Sequence, residues 1–276
     1  MGINVLSLFD GISCGLQALK NIGMQVDQYY ASEIDKYAQI VSNNNHPEII
    51  RLGDIKGWKT WDLPKIDLLL AGSPCQGFSV AGKHLAFNDA RSSLFFEFAD
   101  ILSNIEPTFF LLENVKMKKE YMDLITCVVG VNPLMINSSL LSAQNRERLY
   151  WFNWDILDPV DSNISIKDIS INNIDITERC LMKTPGTLAE SRVLSKVRYI
   201  CDKMNCLTAN GQNIKNSGAT NIFIDDKFFK PSVNTCELAQ MLPIDYTKGI
   251  SDTQRYKCLG NGWTVSVIEH ILSFMC

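Results

Sequence analysis

The 276-residue chain has only three histidines, and its nine cysteines are an odd number at scattered spacings. Cys201 and Cys206 stand apart with no further Cys or His pair nearby to complete a tetrahedral site, so no metal is expected. Long apolar runs are missing as well: no stretch approaches the roughly 18 to 20 residues of a membrane span. The opening Met1-Gly2-Ile3-Asn4-Val5-Leu6 lacks the basic flank and apolar length of a signal peptide. A cytoplasmic protein with no membrane partner is therefore expected, in which most thiols act as small buried hydrophobes. Strong charge of one sign is absent too. A net charge of -4 excludes a protein that coats nucleic acid through bulk electrostatics, because neutralising phosphates needs clustered Lys and Arg. That average hides an asymmetry: Lys183 to Lys257 holds eleven Lys or Arg against seven Asp or Glu. This stretch would suit an anionic partner, and it would equally suit an ordinary solvated surface.

The residues present, 46% of them hydrophobic, suffice for one substantial core and a smaller lobe. Short apolar runs at Asn4 to Leu8, Gln28 to Ser32, Ile66 to Gly72, Thr108 to Leu112, Leu134 to Ser138 and Leu149 to Asn153 read as strands. Between them, Gly15 to Asn21, Asp35 to Asn43, Ser93 to Ile105 and Glu120 to Val129 carry apolar residues at helical spacing. This alternation predicts a parallel, doubly wound α/β sheet of Rossmann-like type. After Trp154 the texture turns to Asn, Asp, Ser and Thr with weak periodicity, and Gly262 to Met275 is apolar again. The expected division is thus 1–154 with 254–276 as one domain and 155–253 as a small irregular lobe inserted into it.

In an open α/β sheet ligands sit at the carboxyl ends of the strands. The first strand runs into Asp10-Gly11-Ile12-Ser13-Cys14-Gly15, and the second ends in Ala31-Ser32-Glu33, a carboxylate placed to accept from ribose hydroxyls. The full GxGxxG pattern is missing, which favours an adenosine cofactor without a diphosphate. Two glycines in one loop are weak evidence, and a turn needing positive φ would use them equally well. Asp54 suits the next strand end as an acceptor for an adenine amino group, and it would also serve as a capping residue. Leu70-Ala71-Gly72-Ser73-Pro74-Cys75-Gln76-Gly77-Phe78-Ser79 sets a Pro-Cys pair in a strand-end loop, where a thiol is exposed for nucleophilic work. Phe110-Leu111-Leu112-Glu113-Asn114 delivers a carboxylate to the same edge, costly there unless paired or functional. Arg146 and Arg148 alternate before a further strand, so both side chains would point to one side, although such a pair also suits a surface ion pair. Gly77 to Arg91, with Gly, Ser, Asn and His, has the composition of a closing loop.

Taken in order, Phe9-Asp10-Gly11 with Gly15, Ala31-Ser32-Glu33, Gly72-Ser73-Pro74-Cys75-Gln76, Glu113-Asn114-Val115, Gln144-Asn145-Arg146-Glu147-Arg148 and Leu259-Gly260-Asn261-Gly262-Trp263 resemble the DNA cytosine-5 methyltransferases. The resemblance covers essentially the whole chain, and its wording is most similar to the animal de novo branch. It implies the Rossmann-like sheet of S-adenosylmethionine-dependent methyltransferases, with 155–253 as the target recognition region. It also implies methyl transfer from S-adenosylmethionine to C5 of a flipped-out cytosine in double-stranded DNA. Cys75 is then the covalent nucleophile, Glu113 the group binding the base edge, and Arg146 and Arg148 the residues holding the pocket. The cofactor set implied is Phe9, Asp10, Gly11, Ile12, Ser13, Gly15, Glu33, Ile34, Asp54, Ile55, Ser73, Pro74, Asn261, Gly262 and Trp263. Gln76, Ser79, Arg192, Lys196, Arg198 and Lys215 are the implied DNA contacts.

Between Trp154 and Thr253 little beyond Lys196-Val197-Arg198 and Cys206-Leu207-Thr208 follows the family wording, so no sequence preference carries over. A transfer-RNA cytosine methyltransferase shares the motif order, but that branch typically follows Pro-Cys-Gln with residues other than Gly77-Phe78-Ser79. A catalytically silent relative would be expected to have lost Cys75 or Glu113. A prokaryotic or phage origin is expected. A restriction endonuclease partner, a mobile element and an orphan role stay open, as does the oligomeric state.

Overall fold

The computed structural model describes residues 2–73, 93–170, 197–198, 202–211, 220–224 and 227–275. Strands β1 (Ile3–Leu8), β2 (Val26–Ser32), β3 (Ile50–Gly53), β4 (Leu68–Gly72), β5 (Phe109–Val115), β6 (Leu134–Asn137) and β7 (Glu147–Phe152) form one seven-stranded sheet in the order β3-β2-β1-β4-β5-β7-β6. From β3 across to β5 every neighbouring pair is parallel. The strand order reverses between β1 and β4, which opens a ligand crevice at the carboxyl ends of those strands.

The expectation of a parallel sheet needs correcting at one place, because β7 pairs antiparallel with β5. The chain passes from β6 to β7 through 138–146 alone, too short for the helical crossover that a parallel return requires. Strand β3 is also absent from the apolar runs read from sequence. Its four residues, Ile50-Arg51-Leu52-Gly53, sit at the sheet edge and none is fully buried, so no continuous apolar signal marks it.

Helices α1 (Cys14–Asn21), α2 (Lys36–Asn45), α3 (Ser93–Ile105) and α4 (Lys119–Val129) fall between the strands. Asp35 starts α2 by accepting from the backbone N–H groups of Tyr37 and Ala38, which satisfies donors that the helix itself leaves open. In α3, Phe95, Phe98 and Ile101 recur every three residues on one stripe and pack with Leu69, Leu112 and Trp151 in a buried cluster. Each fully buried aromatic or aliphatic side chain of this kind contributes roughly 1.5 to 3 kcal/mol by leaving water. The middle of the sheet, Leu68 to Ala71, is wholly buried, as a central strand covered on both faces must be.

The chain divides into two compact units: Met1–Ile136 with Glu147–Leu157 and Glu269–Cys276, and Asn137–Arg146 with Asp158–Ile268. The second unit therefore starts earlier and runs later than the lobe read from texture. It holds a small sheet of β8 (Val197–Arg198), β9 (Asn221–Ile224) and β10 (Lys227–Phe229), and helices α5 (Ile166–Ser170), α6 (Val233–Ala239) and α7 (Asp252–Asn261). Helix α8 (Val265–Leu272) carries the chain end back into the first unit, where Trp154 Nε1 donates to the Ile271 carbonyl at 3.0 Å. Among the described residues no helix is long and apolar enough to cross a membrane.

Candidate active site

The loop leaving β1 is wound tightly. Phe9, Gly11 and Ser13 have φ of 57°, 59° and 61°, a left-handed conformation that glycine accepts freely and the other two adopt only when neighbours enforce it. Several hydrogen bonds do so. The Asp10 N–H donates to the Ser32 carbonyl at 3.1 Å, and the Gly11 N–H donates to Glu33 Oε2 at 2.8 Å. The other oxygen of Glu33 accepts from the Ile34 and Asp35 N–H groups, each at 2.7 Å. Glu33 is thus fixed just after β2, while the Ile34 side chain beside it is 70% exposed.

Burial pushes the Asp10 carboxyl above the usual aspartate range, against hydrogen bonds from Ser13, Ser7 and Tyr29 that favour its charged form; the nearby Glu33 charge adds to the rise. Ile12 and Gly15 are buried, so neither presents a side chain at the crevice. At the end of β3, Asp54 is exposed and caps a 3₁₀ turn over Ile55–Thr60 by accepting from the Lys56 N–H at 3.1 Å. The Ile55 side chain belongs to the hydrophobic core, which leaves only its backbone for a ligand.

On the neighbouring strands Gly72 pairs in register with Glu113, so the ends of β4 and β5 lie side by side. The Asn114 amide donates to the Ser73 hydroxyl at 3.0 Å, and both residues are buried. This bond fixes the chain two residues before Cys75. Pro74, Cys75, Gln76, Ser79 and the whole of 77–91 lie outside the described residues, as do Arg192, Lys196 and Lys215. Arg198 lies in β8, whose backbone pairs with β9.

Glu113 Oε1 is 3.0 Å from Arg148 Nε, with side chains 11% and 13% exposed. A carboxylate so nearly withdrawn from water needs such a partner. The register explains the pairing, since Val115 faces Arg148 and Glu113 faces Tyr150 across the antiparallel β5–β7 ladder.

Arg146 does not share this arrangement with Arg148. It precedes β7 and belongs to the second unit, where its buried guanidinium donates to the carbonyls of Leu207 (2.9 Å), Gly260 (3.1 Å) and Gly262 (2.9 Å). The expectation that both arginines point to one side is corrected by strand β7 starting only at Glu147.

The same unit contains Asn261, which is exposed, and Trp263, which is half-buried. Their segment is framed by Gln144, the first residue of the Gln144–Arg148 motif, and by Gln240, which sequence reading did not single out. Gln144 accepts from the Leu207 N–H at 2.8 Å and donates to Gln240 at 3.2 Å; Gln240 in turn donates to the Leu259 carbonyl at 2.6 Å and accepts from Thr264 at 2.7 Å. Gly260 is required by contact, because a Cβ there would stand 2.1 Å from the Thr208 carbonyl carbon. The spacing of Val233, Cys236 and Gln240 along α6 was the available signal, a buried helical face ending in an amide.

A strand-order reversal between β1 and β4, a carboxylate directly after β2 and a paired carboxylate near the end of β5 define a methyltransferase-type α/β fold. The structure of the Entamoeba histolytica methyltransferase EhMeth superposes with a TM-score of 0.82, covering 100% of this chain and 98% of that one at 18% sequence identity, a likeness of fold. The chain belongs to the C-5 cytosine-specific DNA methylase family, whose model matches residues 3–124. The Type II methyltransferase M1.ScrFI of Lactococcus lactis subsp. cremoris is 32% identical over 312 residues, spanning 98% of this chain and 77% of that protein. The orphan methyltransferase M.Rho11sI of Bacillus phage rho11s is 38% identical over 161 residues, which are 54% of this chain and 32% of its own. The chain thus spans about a third of that phage relative's length.

Proposed function

We propose that this protein transfers a methyl group from S-adenosylmethionine to C5 of cytosine in double-stranded DNA, with Cys75 as covalent nucleophile. The observation that carries the reading is Glu113. It lies nearly buried two residues before the end of β5, is oriented by Arg148, and sits beside the strand that leads through Ser73 to Pro74-Cys75.

The residues after β1 and β2 fit the cofactor. Glu33 is an acid at the site of ribose hydroxyls, Ile34 offers exposed apolar surface to a base, and Ser13 leaves the start of α1 without a side-chain cap. Bound there, S-adenosylmethionine supplies an electrophilic methyl group on a sulfonium. Asn261, Gly262 and Trp263 are assigned to the same role from their family wording.

Cytosine C5 is a poor nucleophile, which is why a covalent detour is needed. The Cys75 thiolate adds to C6, forming a carbon–sulfur bond and sending the ring electrons toward C5 and N3. Glu113 meets the N3 and exocyclic amino edge, where that charge develops, and Arg148 holds it in place. C5 takes the methyl group as the sulfur–methyl bond breaks, which would leave a neutral thioether; loss of the C5 proton to a base and expulsion of Cys75 then restore the aromatic ring and the thiolate. A cytosine inside a duplex is out of reach of such a thiol, so the base is rotated into the pocket at a cost of a few kcal/mol.

Region 155–253 is assigned to target recognition, with Arg192, Lys196, Arg198 and Lys215 on DNA. Gln76 and Ser79 are likewise assigned to DNA contact. Incubation with labelled S-adenosylmethionine and either duplex DNA or transfer RNA tests the reading. Label at C5 of cytosine in duplex DNA is expected; label in transfer RNA alone, or in neither, refutes it.

A further inference from the structure

We infer that Tyr29 is a positioning residue for the cofactor, its hydroxyl holding the Asp10 carboxylate that shapes the loop after β1. The inference rests on the reading that this loop binds S-adenosylmethionine.

Tyr29 lies on β2, paired in register with Val5 of β1, and its side chain is buried. Its hydroxyl donates to Asp10 Oδ1 at 2.8 Å. The other carboxylate oxygen accepts from the Ser13 hydroxyl, which also touches the Ser42 hydroxyl on α2. A chain of hydroxyls therefore runs from β2 through Asp10 to α2, across the turn in which Phe9, Gly11 and Ser13 are all left-handed. Such a turn persists only when its surroundings over-determine it. Asp10 is the group on which both donors converge, and only its ionised form accepts from both without placing a proton of its own on one oxygen.

The groups facing Asp10 are Ser7 on β1, Tyr29 on β2, Glu33 beyond the end of β2 and Ser13 at the start of α1. Burial and Glu33 work against its charge, while the hydroxyl donors sustain it. Protonation would leave one donor without its acceptor and loosen the turn. It would also remove a negative charge from beside a ligand that carries a sulfonium and an ammonium group. Cofactor affinity should therefore weaken as pH falls, and Tyr29 should set where that loss occurs.

The test is calorimetric titration of the full chain with S-adenosylmethionine between pH 5 and 8, using wild type, Tyr29→Phe, Asp10→Asn and the double variant. Tyr29→Phe keeps the ring and removes the donor. It should move the midpoint of the acid loss upward by about one pH unit, the size of one hydrogen bond to a charged group, and so weaken binding about tenfold on the acid side. In the Asp10→Asn background the same change should move no midpoint. A uniform loss at every pH, or an unmoved midpoint, would overturn the inference and leave the binding site intact. Wild type that binds no cofactor at any pH would overturn the reading of the loop and this inference with it. Should Tyr29→Phe fail to fold, Ser13→Ala removes the second donor and must shift the midpoint in the same direction.

Discussion

At the scale of single residues, the proposed chemistry turns on Cys75, three residues beyond β4 in sequence, and Glu113 on β5. Duplex DNA carrying 5-fluorocytosine in a recognised site should form a denaturant-stable adduct with the protein when S-adenosylmethionine is present, because fluorine blocks the proton loss that releases Cys75. Cys75→Ser should form none, and an adduct mapped to another cysteine would sink the assignment. Glu113→Gln keeps the size and part of the hydrogen bonding to Arg148 while removing the charge. Its single-turnover rate should fall roughly 100- to 10,000-fold, the usual range for general acid–base help. The Arg148 pairing means some stability will go as well, since uncoupling a nearly buried ion pair is costly. Melting temperature and rate must therefore be read together: a destabilised variant that keeps a near wild-type rate would show an acid with a purely structural role.

Among elements, the ends of α1, α2 and α7 carry consequences that can be measured. Lys20 in the last turn of α1 donates to Nδ1 of His46, which closes α2 and is 2% exposed. Burial, helped by the Lys20 charge and opposed by Glu48, lowers His46 from its ordinary value of 6.5 to about 4. A depressed folded value means the neutral ring supports the fold fully above pH 6.5, and that support drains as pH falls toward 4. The span corresponds to about 3 kcal/mol. Denaturant melts across this window should show the decline in wild type and a flatter profile in His46→Gln; identical slopes would contradict the assignment. In α7, Gly260→Ala would force a Cβ into the Thr208 backbone, so a loss of about 1 to 3 kcal/mol is expected from overpacking. An unchanged denaturation midpoint would refute that contact.

These elements also mark how far the sequence could be read. Strands such as Leu68 to Gly72 and the stripe of α3 were legible because burial on one or both faces leaves a periodic apolar trace. The edge strand β3 left no such trace, and β7 was legible as a strand but not in its direction, which follows from a connection length. Glu33 and Glu113 stood out as acids ending apolar strands. Pairings across the fold are less legible: Arg148, itself part of a quoted motif, meets Glu113 only through β5–β7 register, and in the second unit Gln144 meets Gln240 across 96 positions of sequence. Arg146 was recognisable as important in its motif, yet its use on backbone carbonyls of the second unit needed the fold.

For the whole molecule, the proposed binding of DNA depends on how charge is distributed along the chain. A chain with a net charge of -4 is repelled on average by a polyanion, so binding must be carried by a local excess of cations. Lys183 to Lys257 supplies eleven Lys or Arg against seven acids, and it includes Arg192, Lys196, Arg198 and Lys215. Each phosphate these residues neutralise releases about 0.9 of a condensed counterion, which adds that amount to the slope of log affinity against log salt. Lys196→Ala should therefore weaken binding to every DNA sequence alike and lower the slope by about one unit. Lys65→Ala, outside this stretch, serves as the comparison and should leave the slope unchanged. Binding isotherms for matched and mismatched duplexes at several salt concentrations separate the alternatives. A variant that changes sequence preference while keeping the wild-type slope would mean Lys196 reads base edges, and the electrostatic role given to it would fall.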